Sequence, residues 1–405
     1  MQLFAPVRLS RIHEQERKAL MIYLDNAATS FPKSEEVNNA LLYGTKELGG
    51  NPGRSAHTLA IEAAKAVFET RLRASRLFGA SPENVVFTYN TTYAINTALK
   101  SSYIYGTNIL ISDIEHNSVL RPVASVTGNT FASYTTFDSS PELHESERAH
   151  AVISSIRSRM RPLTRTLICT ARSNITGIKM PIRDIGRYCR ENGLFFIVDA
   201  AQSAGYDDID IEDDYIDALC VPGHKGLYGP QGTALVLFSK NSIESGRVGS
   251  FIEGGNGVHS LDISMPQYMP EMLEGGTLNV AGIHALGVAI DQIQGYGISN
   301  IRAHDKELIS RAYMRLCFNK KIKVYGYTPD SPMLLINVDG IDCEAVAQML
   351  NKRGICVRAG YHCCPLGHKR IGTPAGGAVR ISVGLFNTEE DVNAVVDALN
   401  EISGK

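Results

Sequence analysis

The sequence predicts an α/β fold: a mostly parallel seven-stranded sheet with helices on both faces, followed by a smaller α+β domain. Three observations carry this. Between about residues 84 and 240, seven short β-rich runs alternate with amphipathic segments of helical period. Several of the runs, such as LFFIVDA (194–200), are apolar on both faces, as strands covered on both sides must be. After about residue 280 the order changes to a long helical segment and then strands and helices in another arrangement.

In chain order the strand candidates are NVVFTY (84–89), NILISD (108–113), SYTTF (133–137), RTLICTA (165–171), LFFIVDA, DALCVPG (217–223) and TALVLF (233–238). Helical stretches such as AINTALKSS (94–102), AVISSIRSRM (151–160) and PIRDIGRYCREN (181–192) separate several of them. The second domain reads as helix 298–319, strand MLLINVD (333–339), helix CEAVAQMLNKR (343–353), strand ICVRAG (355–360), strand AVRISVG (378–384) and helix 388–402. The expected division is an extension at 1–20, a segment at 21–40 packing with the small domain, a large domain at 41–280 and a small one at 281–405. EGGNGVHSLD (253–262) is the most loop-like stretch, a candidate interface loop.

Composition narrows the function. The 405 residues are 44% hydrophobic, enough for two domains, and 40 basic against 42 acidic residues give a formal charge of −2. That balance speaks against nucleic acid as the main ligand. No apolar run approaches the ~20 residues that span a bilayer. Residues 1–20 lack an apolar segment of the signal-peptide kind, so a cytoplasmic location is expected. The eight cysteines are scattered except for Cys363 and Cys364, as small core residues of a reducing compartment are.

Sheets of this kind bind ligands at the carboxyl ends of their strands. One rim then collects Thr88–Thr92, Asp113–His116, Asp199–Gln202 and Pro222–Lys225. Asp199 directly follows a buried strand, which is costly unless a cation meets it. Lys225 lies 26 residues on, in the glycine-rich turn PGHKGLYGPQG. Alone, the two fit a structural ion pair as well as a functional couple. Asn90, Thr91 and Thr92 open a helix after a strand, where amides and hydroxyls cradle a phosphate or simply cap the helix. Phosphate cradle, strand-end Asp and glycine-flanked Lys together suggest pyridoxal phosphate, with Lys225 forming a Schiff base and Asp199 pairing with the ring nitrogen.

Many short motifs in one fixed order then carry a resemblance: YLDNAATSFP (23–32), NPGRSAHTLA (51–60), FTYNTTYAIN (87–96), EHNSVLRP (115–122), SNITGI (173–178), VDAAQSAG (198–205), GHKGLYGPQG (223–232), LEGGTLN (273–279), RAGYHC (358–363) and VRISVGLFNT (379–388). From about Ile22 to the last helix the chain resembles the fold-type I, class V aminotransferase family, in its cysteine desulfurase and selenocysteine lyase branch. The resemblance implies that Lys225 is the Schiff-base lysine, Asp199 meets the pyridine nitrogen and Gln202 the phenolic oxygen. It implies that His116 stacks on the ring, where as a catalytic residue it could also assist proton transfer, and that Thr91, Thr92 and His224 hold the phosphate. Thr277 is implied to serve the partner subunit's phosphate site, hence a homodimer with shared active sites. Arg380 and Asn174 are implied to hold the substrate, with Arg358, Arg54 and His57 as further candidates. Cys363 is the implied sulfur acceptor, with Arg358 and His362 placed to favour its thiolate.

The implied reaction converts L-cysteine to L-alanine and leaves sulfur on Cys363 as a persulfide. Hand-off to a dedicated acceptor protein fits the short loop, which is like that of the group II desulfurases. Pro222 stands where the family usually has a hydroxyl residue, so one phosphate contact is expected to be lost. The tail CPLGHKRIGT (364–373) resembles that of a less characterised subgroup. Two rival readings stay open: a selenocysteine lyase or other class V lyase or aminotransferase, and a metal or iron–sulfur scaffold using His362, Cys363, Cys364 and His368. Adjacent cysteines are awkward chelators and no CxxC pair is present, so no metal is expected. Cys364 is left as inert, persulfide-resolving, or half of a vicinal disulfide.

Overall fold

The computed structural model describes residues 21–53, 56–128 and 134–404. The expectations for residues 1–20 and for Arg54 lie outside the described residues. Strand β1 (Ile22–Tyr23) is followed by helices α1 (Glu35–Glu47) and α2 (Thr58–Phe78). The alternating region is β2 (Val85–Thr88), α3 (Thr91–Ser102), β3 (Asn108–Ser112), α4 (Asn117–Gly128), β4 (Tyr134–Phe137), α5 (Glu145–Arg159), β5 (Thr164–Thr170), α6 (Ile182–Glu191), β6 (Phe195–Asp199), β7 (Ala218–Pro222) and β8 (Ala234–Phe238). Then come α7 (Lys240–Glu244), α8 (Val280–Tyr296), α9 (Ile298–Leu316), β9 (Ile322–Tyr325), β10 (Met333–Val338), α10 (Cys343–Asn351), β11 (Ile355–Cys356), β12 (Arg358–Gly360), α11 (Pro365–Ile371), β13 (Ala378–Ser382) and α12 (Glu389–Ile402).

The large sheet has seven strands in the order β2-β8-β7-β6-β5-β3-β4. Only β8 runs antiparallel, against both β2 and β7. The chain between β7 and β8 is too short to hold a crossover helix, so β8 must return antiparallel. Strands covered on both sides send alternate residues to two cores. Leu167, Phe196, Val198 and Leu219 enter one. Ile168, Phe195, Ile197 and Ala218 enter the other.

The small sheet, β12-β13-β10-β9, is antiparallel throughout. The run at 355–360 is not one strand: Ile355 and Cys356 pair with β1, whereas Arg358–Gly360 pair with β13. Val357 is the hinge between two sheets. Leu24 sits in the small core with Leu334, Val346 and Val395, while α1 packs Val37 and Ala40 on Ala285 and Ala289 of α8. The expected boundary at 280/281 meets a different arrangement. Val280, Ile283, Leu286 and Ile290 of α8 join the large core, and the change of core comes along α9, where Leu308 and Ile309 enter the small one. Helix periodicity cannot reveal which core a helix faces.

Phe196 is fully buried between strands and helices. Phe196→Ala should cost about 3–5 kcal/mol, measured as a shift in the urea midpoint at unchanged slope.

Candidate active site

The carboxyl ends of β2, β3, β5, β6 and β7 surround a cavity of about 220 Å³. Its walls include Thr91, Thr92, His116, Asn174, Asp199, Gln202, His224, Lys225, Arg358 and Arg380, brought together from positions 91 to 380. His362 lines it as well, whereas Cys363, Thr277 and His57 are not among its lining residues. Thr277 is exposed in a separate groove with Phe87, Tyr89 and Tyr93. His57 caps α2, its Nδ1 accepting from the Ala60 N–H at 3.3 Å.

Asp199 ends β6, and its Oδ1 accepts the Ala201 N–H at 2.9 Å. Burial pushes its carboxyl up, while that N–H and the Lys225 cation pull it back. Lys225 is lowered to about 8, chiefly by burial, with Asp199 opposing and the Arg380 and Arg358 cations adding to the fall. Among the described residues its Nζ has no hydrogen bond or ion pair. The loop carrying it can lie against the Asp199 loop because Gly205 and Gly226 face each other. A Cβ on Gly205 would lie 2.2 Å from the Gly226 carbonyl oxygen, and one on Gly226 would lie 2.2 Å from that of Ala204.

Asn90 caps α3 by accepting the Tyr93 N–H at 2.9 Å, which leaves the N–H groups of Thr91 and Thr92 without partners among the described residues. Thr92 donates to Ser118 Oγ at 3.2 Å, and Ser118 Oγ lies 2.5 Å from His116 Nδ1. The Ser118 N–H also donates to that nitrogen at 3.0 Å. Nδ1 is therefore the acceptor, and the proton of the neutral ring sits on Nε2. Burial first, then Lys225 and the arginines, lowers His116 to about 4, so it is neutral at pH 7. His224, lowered to about 4 by burial and then by Lys225 and Lys33, holds its Nδ1 3.0 Å from Thr29 Oγ1. Gln202 uses one amide N–H on the Ala27 carbonyl at 2.9 Å.

Arg380 comes from the small sheet yet is buried in this cavity. It forms an ion pair with Asp25 at 2.8 Å and donates to the Asn174 carbonyl at 2.8 Å, and its Nε is buried without a partner. Asp25 and Ser118 were not singled out from the sequence. Asp25 sits in YLDNAATSFP and Ser118 two places after His116, but their partners are far away or need the helix turn to meet.

The cysteine pair separates. Cys363 is exposed, and both it and His362 have positive φ, 54° and 49°. Each costs roughly 1–2 kcal/mol without a glycine. The Cys363 carbonyl accepts from the Asn117 N–H at 2.7 Å, and that of His362 from Asn174 Nδ2 at 2.8 Å. Cys364 is buried with Ile175, Tyr325 and Leu335, and its thiol lies 3.3 Å from the Ile114 carbonyl. Burial pushes that thiol up to about 12, which makes it an inert core residue. His362 is neutral and offers Cys363 no cation, contrary to expectation. Burial first, then the Arg380 cation, lowers it to about 3. The two sulfurs point to different environments, so the four residues suggested for a metal do not converge.

Residues 22–395 match the aminotransferase class-V family model. The chain belongs to that family. A probable cysteine desulfurase of Methanothermobacter thermautotrophicus is 30% identical, with 95% of this chain and 95% of the relative aligned. The cysteine desulfurase of Haloferax volcanii is 29% identical over 94% of this chain and 89% of its own. Among solved structures, the apo cysteine desulfurase of Thermococcus onnurineus superposes with a TM-score of 0.86 at 25% identity, over 99% of this chain and 100% of that one. An Escherichia coli cysteine desulfurase in its S-sulfonic acid form gives 0.83 at 26% identity, over 99% and 98%.

Asp25→Asn leaves the buried Arg380 cation unpaired. The expected loss is at the low end of roughly 3–5 kcal/mol, because Asp25 is partly exposed. Urea unfolding of the two proteins checks it.

Proposed function

We propose that the chain is a pyridoxal-phosphate-dependent cysteine desulfurase, converting L-cysteine to L-alanine with sulfur left on Cys363 as a persulfide. One observation carries this reading: the part-buried Lys225 amine, unpaired among the described residues and facing the Asp199 carboxylate, in a cavity that also holds an arginine whose Nε–H has no partner among them. The names of the relatives support the substrate class. The donor set fits the cofactor. Thr91, Thr92 and His224 with the open end of α3 suit the phosphate, Asp199 the ring nitrogen, and the second amide N–H of Gln202 the phenolic oxygen. The neutral His116 ring suits the face of the cofactor ring.

When bound, pyridoxal phosphate supplies an electron sink that acidifies the Cα–H bond of an amino acid. Everything else falls to this chain. The neutral Lys225 amine takes the Cα proton. Arg380 and Asn174 hold the substrate carboxylate, with the free Nε–H of Arg380 as one donor. Arg358 lies at the same end. The Cys363 thiolate attacks the substrate sulfur: an S–S bond forms, the Cβ–S bond breaks, and the carbon fragment takes up protons and leaves as alanine.

Thr277, exposed outside this chain's own cavity, serves the partner's phosphate site in a homodimer. An acceptor protein then takes the persulfide sulfur from Cys363. Among the described residues no helix is long and apolar enough to cross a membrane, and a cytoplasmic location remains within the proposal. Selenocysteine lysis is the second reading, because Cys363 is exposed and not among the cavity's lining residues, and a selenium leaving group has less need of it.

The purified protein should show the absorbance of a lysine-bound pyridoxal cofactor and release alanine and sulfide from L-cysteine with a reductant. A colourless protein that stays inactive after added cofactor overturns the reading. Cys363→Ser should abolish desulfuration of cysteine while Cys364→Ala largely spares it; surviving selenocysteine lysis in the first variant favours the second reading. Loading of the apo protein needs the neutral Lys225 amine. With the amine at about 8 instead of 10.5, the loading rate should rise about tenfold per pH unit below 8 and level off above it, as stopped-flow absorbance would record.

A further inference from the structure

Four ring nitrogens lie behind the Cys363 turn, those of His362 and His368, and all of them are engaged. His362 Nε2 faces the Arg358 carbonyl at 3.2 Å, so it must donate. Its Nδ1 is then an acceptor, facing His368 Nε2 at 3.2 Å, which must donate. His368 Nδ1 is left to accept, and Thr373 Oγ1 lies 2.8 Å away. The alternative acceptor for that hydroxyl, the His368 carbonyl, is longer at 3.4 Å. The imidazole planes lie within 10° of each other, edge to edge, with centroids 5.4 Å apart, and both residues are at least nine-tenths buried. Each hydrogen bond dictates the next, so the chain has a single direction: Thr373 to His368 to His362 to the Arg358 backbone.

We propose that His362, His368 and Thr373 form a positioning strut that holds the Cys363 turn in its left-handed conformation and so presents the Cys363 sulfur, rather than that of Cys364, to the substrate. This deepens the proposed function and rests on Cys363 being the nucleophile. The large domain grips the His362 and Cys363 carbonyls through Asn174 and Asn117 and the Cys364 thiol through the Ile114 carbonyl, and the Cys364 N–H closes the turn on the Tyr361 carbonyl at 2.8 Å. The strut is what grips the His362 side chain, and it ties together β12, the turn, α11 and the residue just past its end. An apolar pair would fill the same space, but nothing in it would set the rotation of residue 362 about its backbone. His368 and Thr373 lie outside the cavity; His362 lines it, but its ring nitrogens are both taken up by Arg358 and His368, so all three are positioning residues.

The decisive comparison is His368→Leu against His368→Gln in the cofactor-loaded enzyme, because the glutamine amide can still donate from the place of Nε2. The Leu variant should lose at least tenfold in kcat for alanine formation. Its L-cysteine dependence, read from the change in cofactor absorbance, should stay within threefold. The Gln variant should recover most of the kcat. Hydrogen exchange on the cofactor-free proteins supplies an independent reading: peptides covering 361–364 should exchange about tenfold faster in the Leu variant and near the wild-type rate in the Gln variant. The strut is overturned if Leu keeps kcat within threefold, if Gln is as impaired as Leu, or if exchange at 361–364 does not change. A parallel loss of cysteine binding also overturns it, since that marks general damage to the site. Cys363→Ser separates the two claims: if it still desulfurates cysteine, the functional reading has failed whatever the His368 variants do.

Discussion

The burial of unlike charges at the rim of the parallel sheet is the constraint on which the rest of the structure depends. Asp199 and Lys225 sit at the ends of adjacent strands, and removal from water pushes the carboxyl up and the amine down. Their mutual attraction only partly opposes that. A pair left in this state is an expensive way to stabilise a fold. Its value is chemical: a lysine lowered to about 8 keeps a neutral fraction of about a tenth at pH 7 and about half at pH 8, and the proposed Schiff-base and proton-transfer roles draw on that neutral amine. The glycines at 205 and 226 exist for the same pair, since any side chain there would force the two loops apart.

A second buried charge joins the domains. Arg380 belongs to the small antiparallel sheet, and its guanidinium meets both Asp25, on the amino-terminal segment bridged to Ser382, and the Asn174 carbonyl of the large domain. Asp25 in turn follows the short strand β1, which pairs with β11 of the small-domain region. The cavity therefore closes only when the amino-terminal segment, the large sheet and the small sheet are all in place. Among the described residues the Nε of Arg380 has no acceptor, and an orphaned buried N–H is costly unless a ligand meets it.

The cysteine turn works by the opposite physics, with geometry under strain and little charge. Two successive residues without the freedom of glycine adopt left-handed backbone, and hydrogen bonds from Asn117, Asn174 and the imidazole pair hold them there. Strain of this kind persists where the surroundings over-determine it. Its effect is to separate neighbouring sulfurs, one into solvent and one into an apolar pocket. Neutral imidazoles suit the task, because a cation there would face Arg380 and Arg358.

The sequence by itself determined the sheet, its alternation with helices and the rim where Asp199, Lys225, His116 and the α3 cradle meet. These follow from local periodicity and from short motifs whose residues are close in the chain. Cys363 and Arg380 were legible only through the order of motifs, not from spacing. What the tertiary structure alone decided were the contacts between distant segments: Asp25 on Arg380, Ser118 on His116, and the core faced by α8. It also placed Thr277 and His57 outside the cavity. It settled the division between Cys363 and Cys364, which no pattern of one-letter symbols carries. Their difference lies in a backbone twist and a desolvated pocket, and both arise only when β12, α11 and the large sheet come together.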